Sequence, residues 1–402
     1  MRPAIRLLAC RVRDGMLLVL VSVGVFGCCV CPYGDSAPPP PDTPSELTRV
    51  SYHPDDTPAD APPHPLNMPA VLPPEASRPL QILALSGGVH GAPFTAGFLV
   101  GWTHTGTRPT FDQVTGISSG SLIGAYAFLG PKYDAQMQQL ILTMHTSDLI
   151  KFRPLCCMLC DGAFGSAKPA ERLILRAFND DFIADIRCAH AQGRRLYIGT
   201  MNLETKRLTI WDIGAIASSG RPDANDLVRK VLLAAVSWPG AVPPVAFDIE
   251  VNGHCYREEH CDGGSVAMVL PPIGPVSSCP AGSNLYVLTS RKLYSDPEPV
   301  PKKAFHRLKP TVTAIFEALT RDDISQLYFL SQISGMRFHL MALPQGYHGE
   351  APSIAHLYPK EAPQLFETGY HIGASGPCWR FTPPGAEPGE RAAPRDGREI
   401  RH

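Results

Sequence analysis

Apolar residues along this chain fall into short blocks separated by glycine, proline and polar turns. Residues 80–85 form an apolar run ended by Ser86-Gly87-Gly88, which predicts a buried strand feeding a glycine turn. Pro93 suits the first turn of a following helix, where a missing N–H costs nothing, and Phe94, Phe98, Leu99 and Trp102 recur at helical spacing. Residues 111–117 predict a second strand, Ser118 a turn, and residues 122–129 a helix of small apolar side chains, so the β-turn-α pattern occurs twice. Further on, the pattern predicts helices over 134–144, 170–178 and 226–236, the last stopped by Pro239-Gly240, and strands over 196–201 and 207–211. A hairpin around Asn252-Gly253, a strand over 284–289, a long helix over about 305–334 and a strand over 337–343 complete the body. Strands alternating with helices predict an α/β fold of three layers, α/β/α, with a mostly parallel central sheet covered on both faces. No repeat of fixed period is visible.

The two ends break this pattern. Arg2, Arg6, Arg11 and Arg13 precede an apolar run over 16–26, followed by Gly27 and Cys28, which is the order of a secretory signal peptide. The run is too short for a comfortable membrane span. Val25-Phe26-Gly27-Cys28 resembles a bacterial lipobox, in which the cysteine is lipidated and becomes the mature N-terminus. Residues 1–28 are therefore expected to be a signal with Cys28 as the lipidation site. Residues 29–79 carry runs such as Pro38-Pro39-Pro40-Pro41 and almost no apolar periodicity, so they are expected to be an extended, disordered tether. Residues 80–385 hold the globular domain. The Pro/Gly/Arg-rich stretch from Pro383 onward predicts a disordered tail over 386–402.

Composition narrows the partners. Lys and Arg number 36 and Asp and Glu 37, a net charge of −1, which provides no field for collecting nucleic acid. Of the 12 cysteines, Cys10, Cys28, Cys29 and Cys31 lie in or beside the signal. Cys255 and Cys261 share one predicted extended strand, too far apart for a mutual disulfide. Cys157-x-x-Cys160 lacks a second half-site for zinc, so a structural role is expected and no metal is called for.

Three short motifs could carry chemistry. Gly116-Ile117-Ser118-Ser119-Gly120 fits G-x-S-x-G between a predicted strand and helix, where glycines two residues either side relieve a crowded turn and leave the serine hydroxyl projecting. A serine nucleophile needs a base, and the late histidines His306, His339, His348, His356 and His371 have no obvious motif context. Asp262-Gly263-Gly264 is better placed, because its carboxylate emerges at a strand end beside two glycines. Ser86-Gly87-Gly88-Val89-His90-Gly91 comes after the first strand, and its consecutive N–H groups could accept an oxyanion. Phosphate binding is the rival use of such a loop, but neither GxxxxGK[ST] nor GxGxxG is present.

Leu83 to Gly88, then Gly116 to Gly120, then Asp262 to Gly264, in that order, resemble the three signatures of patatin-like phospholipases. Trp238-Pro239-Gly240-Ala241-Val242-Pro243-Pro244-Val245 and Gly369-Tyr370-His371 are similar to stretches in bacterial members. The resemblance implies a patatin-like fold and a serine acyl hydrolase acting on phospholipids, lysophospholipids or related acyl esters. It implies Ser118 as nucleophile, Asp262 as its partner in a Ser-Asp dyad without histidine, and Gly87, Gly88 and Val89 as the oxyanion hole. Gly116, Gly120, Gly263 and Gly264 are then the structural motif glycines, and no cofactor or metal is needed. The expected setting is the envelope of a Gram-negative bacterium, lipid-anchored in the periplasm or outer membrane, with secretion as the alternative and a membrane surface as partner. The glycine loop departs from the family. Either Val89 replaces the third glycine, or one glycine is deleted and His90 and Gly91 take the basic and final-glycine positions. The first version implies an impaired, lipid-binding lipoprotein as the alternative function. Labelled fatty acid is expected in the wild-type chain expressed in a Gram-negative host and absent from Cys28→Ala; equal incorporation removes the lipobox reading.

Overall fold

Alternation within the first strand decides the layering of the domain. In β1 (Gln81–Leu85), Ile82 and Ala84 point to one face of the sheet and Leu83 and Leu85 to the other, and all four are fully buried. The computed structural model describes residues 51–52, 78–153, 163–251, 254–274, 279–296, 308–347, 358–387 and 390. The expected signal with Cys28, nearly all of the expected tether, and the Cys157-x-x-Cys160 pair lie outside the described residues. Ser51–Tyr52 and Arg78–Pro79 are the exceptions within the tether: Ser51 and Tyr52 pair antiparallel with Trp211 and Ile210, and the Arg78 guanidinium donates to the Asp112 carboxylate.

After β1 come α1 (Ala92–His104), β2 (Gln113–Ile117), α2 (Ser119–Leu129), α3 (Asp134–Thr143), α4 (Lys168–Ala177) and α5 (Asp180–Ala191). Next in the chain are β3 (Arg195–Asn202), β4 (Arg207–Asp212), α6 (Ile213–Ala217), α7 (Ala224–Ala235), β5 (Val245–Val251) and β6 (His254–Asp262). The last elements are β7 (Asn284–Thr289), α8 (Leu308–Ser334), β8 (Arg337–Ala342) and α9 (Ala362–Ala374). The main sheet runs β4-β3-β2-β1-β7-β8, parallel from β3 through β8, with β4 antiparallel at one side. Apolar residues of α1 and α2 pack on Leu83, Leu85 and Val114, while Ile324, Leu327 and Leu330 of α8 cover Ile82, Ala84 and Val287. The expected three-layer α/β fold with a mostly parallel sheet is what the chain adopts.

The helices α5, α6 and α9 are additions to the sequence expectation. α5 had a legible signal: Asn179 accepts a hydrogen bond from the Phe182 N–H, and Phe182, Ile183, Ile186 and Ala189 form its buried stripe. α9 did not, because Gly369 and Gly373 both disfavour a helix interior. Packing on α1 overrides that preference. A methyl group on Gly97 of α1 would overlap the Phe366 carbonyl oxygen, and one on Gly369 would overlap the Phe94 carbonyl oxygen. The two helices therefore touch backbone to backbone. The chain from Pro383 to Glu387 is also ordered, folding back so that Glu390 accepts from both terminal nitrogens of Arg380 at 2.6 Å.

Gly97→Val is expected to cost about 1–3 kcal/mol by overpacking this contact, which for a chain of this size lowers Tm by roughly 2–4 °C per kcal/mol. A thermal melt matching wild type would show that the α1–α9 contact has slack.

Candidate active site

Two strands end head to head on one edge of β3, and the candidate site lies where they meet. β2 runs parallel to β3 and stops with Ile117 opposite Gly199. β6 arrives from the other direction along the same edge, antiparallel, placing Asp262 opposite Thr200. The residue after β2 is Ser118, so the hydroxyl and the carboxylate are delivered to one point although 144 residues separate them. Close approach at this junction leaves no room for side chains. A Cβ on Gly263 would stand 2.7 Å from the Gly199 carbonyl oxygen.

Ser118 has φ 53° and ψ −128°, a conformation that L-residues rarely adopt. The strain aims the side chain out of the strand-to-helix turn, at the N-terminus of α2. Space around the turn explains its glycines. A Cβ on Gly116 would stand 2.5 Å from the Gly120 carbonyl oxygen, and one on Gly120 would stand 2.5 Å from that of Ser86. The Ser118 hydroxyl donates to Asp262 Oδ2 at 2.6 Å. Asp262 Oδ1 accepts from the Gly264 N–H at 2.7 Å, and the Asp262 N–H donates to the Ser237 carbonyl at 2.9 Å. The carboxylate is thus held from both sides.

The segment after Asp262 is pinned as firmly. The Gln113 side chain exchanges two hydrogen bonds of 2.8 Å with the backbone of Ile273, and Thr115 Oγ1 donates to the Leu270 carbonyl at 2.7 Å. Asp323 on α8 accepts from the N–H groups of Met268 and Val269 at 2.6 and 2.9 Å. Burial raises the Asp323 pKa to about 6, with these two donors opposing the rise.

Burial likewise raises the Asp262 pKa to about 6, opposed by the bonds from Ser118 and Gly264 and by the charge of Arg291. That value suits a group that must give and take a proton near neutrality.

The glycine loop lies against the serine, a Cβ on Gly87 standing 3.1 Å from that of Ser118. The Gly87 N–H, expected to face an oxyanion, donates to the Met268 carbonyl at 2.9 Å and so is engaged in holding the loop. Among the described residues the N–H groups of Gly88 and Val89 have no acceptor, and those of Ser119 and Gly120 open α2. Gly88, not Val89, carries the left-handed backbone, at φ 137°. Val89 begins a short 3-10 turn over Val89–Gly91 with ordinary φ. Gly91 is the position that must be bare, because a Cβ there would overlap the Ser290 carbonyl oxygen. Of the two sequence alternatives, the shortened loop with Gly91 as its final glycine fits the backbone.

Among the described late histidines, His339 stacks on Tyr286 at 4.6 Å and bonds to Asn284, and His371 is exposed on α9. Among the described residues, the side chain that bonds the Ser118 hydroxyl is that of Asp262. No group of three or more His, Cys, Asp or Glu residues able to hold a metal occurs among the described residues. Arg291 lies beside the glycine loop and belongs to no sequence motif; its placement depends on the pairing of β7 with β1.

Residues 83–273 match the family model for patatin-like phospholipases. No curated protein matches the chain. Among solved structures, VipD from Legionella pneumophila aligns at 11% identity with a TM-score of 0.39. That alignment covers 74% of this chain and 66% of VipD, so it spans just under two thirds of VipD's length.

Val89→Gly is expected to change kcat on a short acyl ester by less than about tenfold, or 1.4 kcal/mol of barrier. Gly91→Ala is expected to lower both Tm and kcat. Rescue of activity by Val89→Gly would reverse the assignment of the loop.

Proposed function

We propose that this chain, whose residues 83–273 match the family model for patatin-like phospholipases, cleaves acyl esters of phospholipids or lysophospholipids with Ser118 as nucleophile and Asp262 as the proton carrier. The observation that supports this most directly is the 2.6 Å bond from Ser118 to Asp262, made by a serine in a strained turn. Ser118 Oγ attacks the ester carbonyl while its proton passes to the Asp262 carboxylate. Negative charge gathers on the former carbonyl oxygen, where the N–H groups of Gly88 and Val89 are the donors at hand. Collapse breaks the ester C–O bond, and the leaving alcohol takes the proton from Asp262. Water, deprotonated in turn by Asp262, then attacks the acyl-serine, releasing the fatty acid and returning the proton to Ser118. The same reading places the enzyme in the envelope of a Gram-negative bacterium, held to a membrane by a lipid on Cys28 and a proline-rich tether.

A fluorophosphonate probe is expected to label wild type and not Ser118→Ala, and to label Asp262→Asn far more slowly. Asp262 must be ionised to accept the proton, so the labelling rate should rise with pH through about 6 and fall roughly tenfold per unit below it. Labelling that survives Ser118→Ala, or a rate flat from pH 5 to 8, would remove the dyad.

A further inference from the structure

A half-buried guanidinium whose Nε is buried without a partner sits beside the glycine loop. β7 is the parallel neighbour of β1, so the residues after β7 lie next to the loop that leaves β1. A Cβ on Gly88 would stand 3.1 Å from Ser290 Cβ and 3.4 Å from Arg291 Cγ. The Arg291 backbone is fixed, its N–H donating to Thr289 Oγ1 and its carbonyl accepting from Leu343, both at 3.2 Å. Its guanidinium carbon lies 5.3 Å from the centre of the Phe316 ring of α8. Among the described residues the side chain makes no hydrogen bond and no ion pair within 4 Å, and Nε is buried without a partner. A buried polar atom is ordinarily hydrogen-bonded, so this Nε is out of the usual pattern.

The carboxylates that face it are occupied elsewhere. Asp262 accepts from Ser118 and Gly264. Glu317, one residue beyond Phe316, accepts from the Ser295 hydroxyl and lies 3.9 Å from Arg321. Both carboxylates favour the charged guanidinium, which burial disfavours, and an arginine remains protonated in any case. The guanidinium of Arg291 is therefore charged and without a protein acceptor among the described residues, on a fixed backbone next to the donors available for an oxyanion.

We propose that Arg291 binds the phosphate of an ester substrate and so selects phosphate-bearing lipids over neutral ones. In a glycerophospholipid the phosphate sits on the carbon adjacent, or next but one, to an ester-bearing carbon. An ester carbonyl held at Ser118 thus brings the phosphate along the glycine loop toward Arg291. The planar guanidinium fork matches two phosphate oxygens. The inference rests on Ser118 as the point of attack.

The test compares a lysophosphatidylcholine with a monoacylglycerol of the same short acyl chain, each below its micellar concentration, using the full-length protein. Arg291→Met is expected to lower the ratio of kcat/KM between the two substrates at least tenfold, chiefly through KM on the phospholipid, with Arg291→Lys recovering part of it. An equal loss on both substrates, or an unchanged ratio, overturns the proposal. Should Arg291→Met fail to fold, wild type alone decides: glycerol 3-phosphate should compete with monoacylglycerol hydrolysis where glycerol does not. Inorganic phosphate competing more strongly than glycerol 3-phosphate would indicate a free-phosphate site and overturn the headgroup assignment. If wild type cleaves neither substrate, the hydrolase reading fails. Binding of the lysophospholipid to Ser118→Ala, with and without Arg291→Lys, then still reports on Arg291.

Discussion

The sharing of one edge of β3 between two strands running in opposite directions is the constraint on which the site depends. Backbone pairing sets the meeting point: Ile117 opposite Gly199, then Asp262 opposite Thr200. A slip of one residue in either ladder would turn the side chain of Ser118 or Asp262 to the other face. The staples from Gln113, Thr115 and Asp323 to the segment after Asp262 hold that register against such a slip. They also satisfy polar groups that burial would otherwise leave unpaired.

Stability and chemistry pull against each other at this junction. Ser118 holds a backbone conformation that costs of order 1–3 kcal/mol. Asp262 is a buried carboxyl whose folded pKa lies above its unfolded value, so it favours the folded state less as pH rises through about 6. Both features suit the proposed chemistry, one exposing a hydroxyl and the other raising the carboxyl toward neutrality. The surrounding sheet is buried on both faces, so close packing on either side opposes their relaxation.

The glycine loop shows how distant packing reaches the same point. Gly87 is pinned to Met268, which is itself bonded to Asp323 of α8, while Gly91 leads into α1 against Ser290. α1 is in turn fixed by backbone contact with α9. The loop is therefore aimed by helices on both faces of the sheet, and Arg291 enters its neighbourhood from β7.

Much of this was legible in the sequence. The strand over 284–289 and the two β-turn-α units arise from hydrophobic period and glycine punctuation, which are properties of neighbouring residues. Glycines flanking Ser118 and Asp262 were legible for the same reason, since crowding at a turn is local. The availability of the Gly87 N–H was not, because it depends on Met268, far along the chain. Nor was the choice between Val89 and Gly91 as the position that must lack a side chain, which the Ser290 carbonyl decides. α9, with two glycines in its interior, is a helix because α1 needs a bare surface to pack on. Local sterics and periodicity are written in consecutive residues; the partner of a buried amide, a bare glycine or an unmet guanidinium is set by strand register, and only the folded chain supplies it.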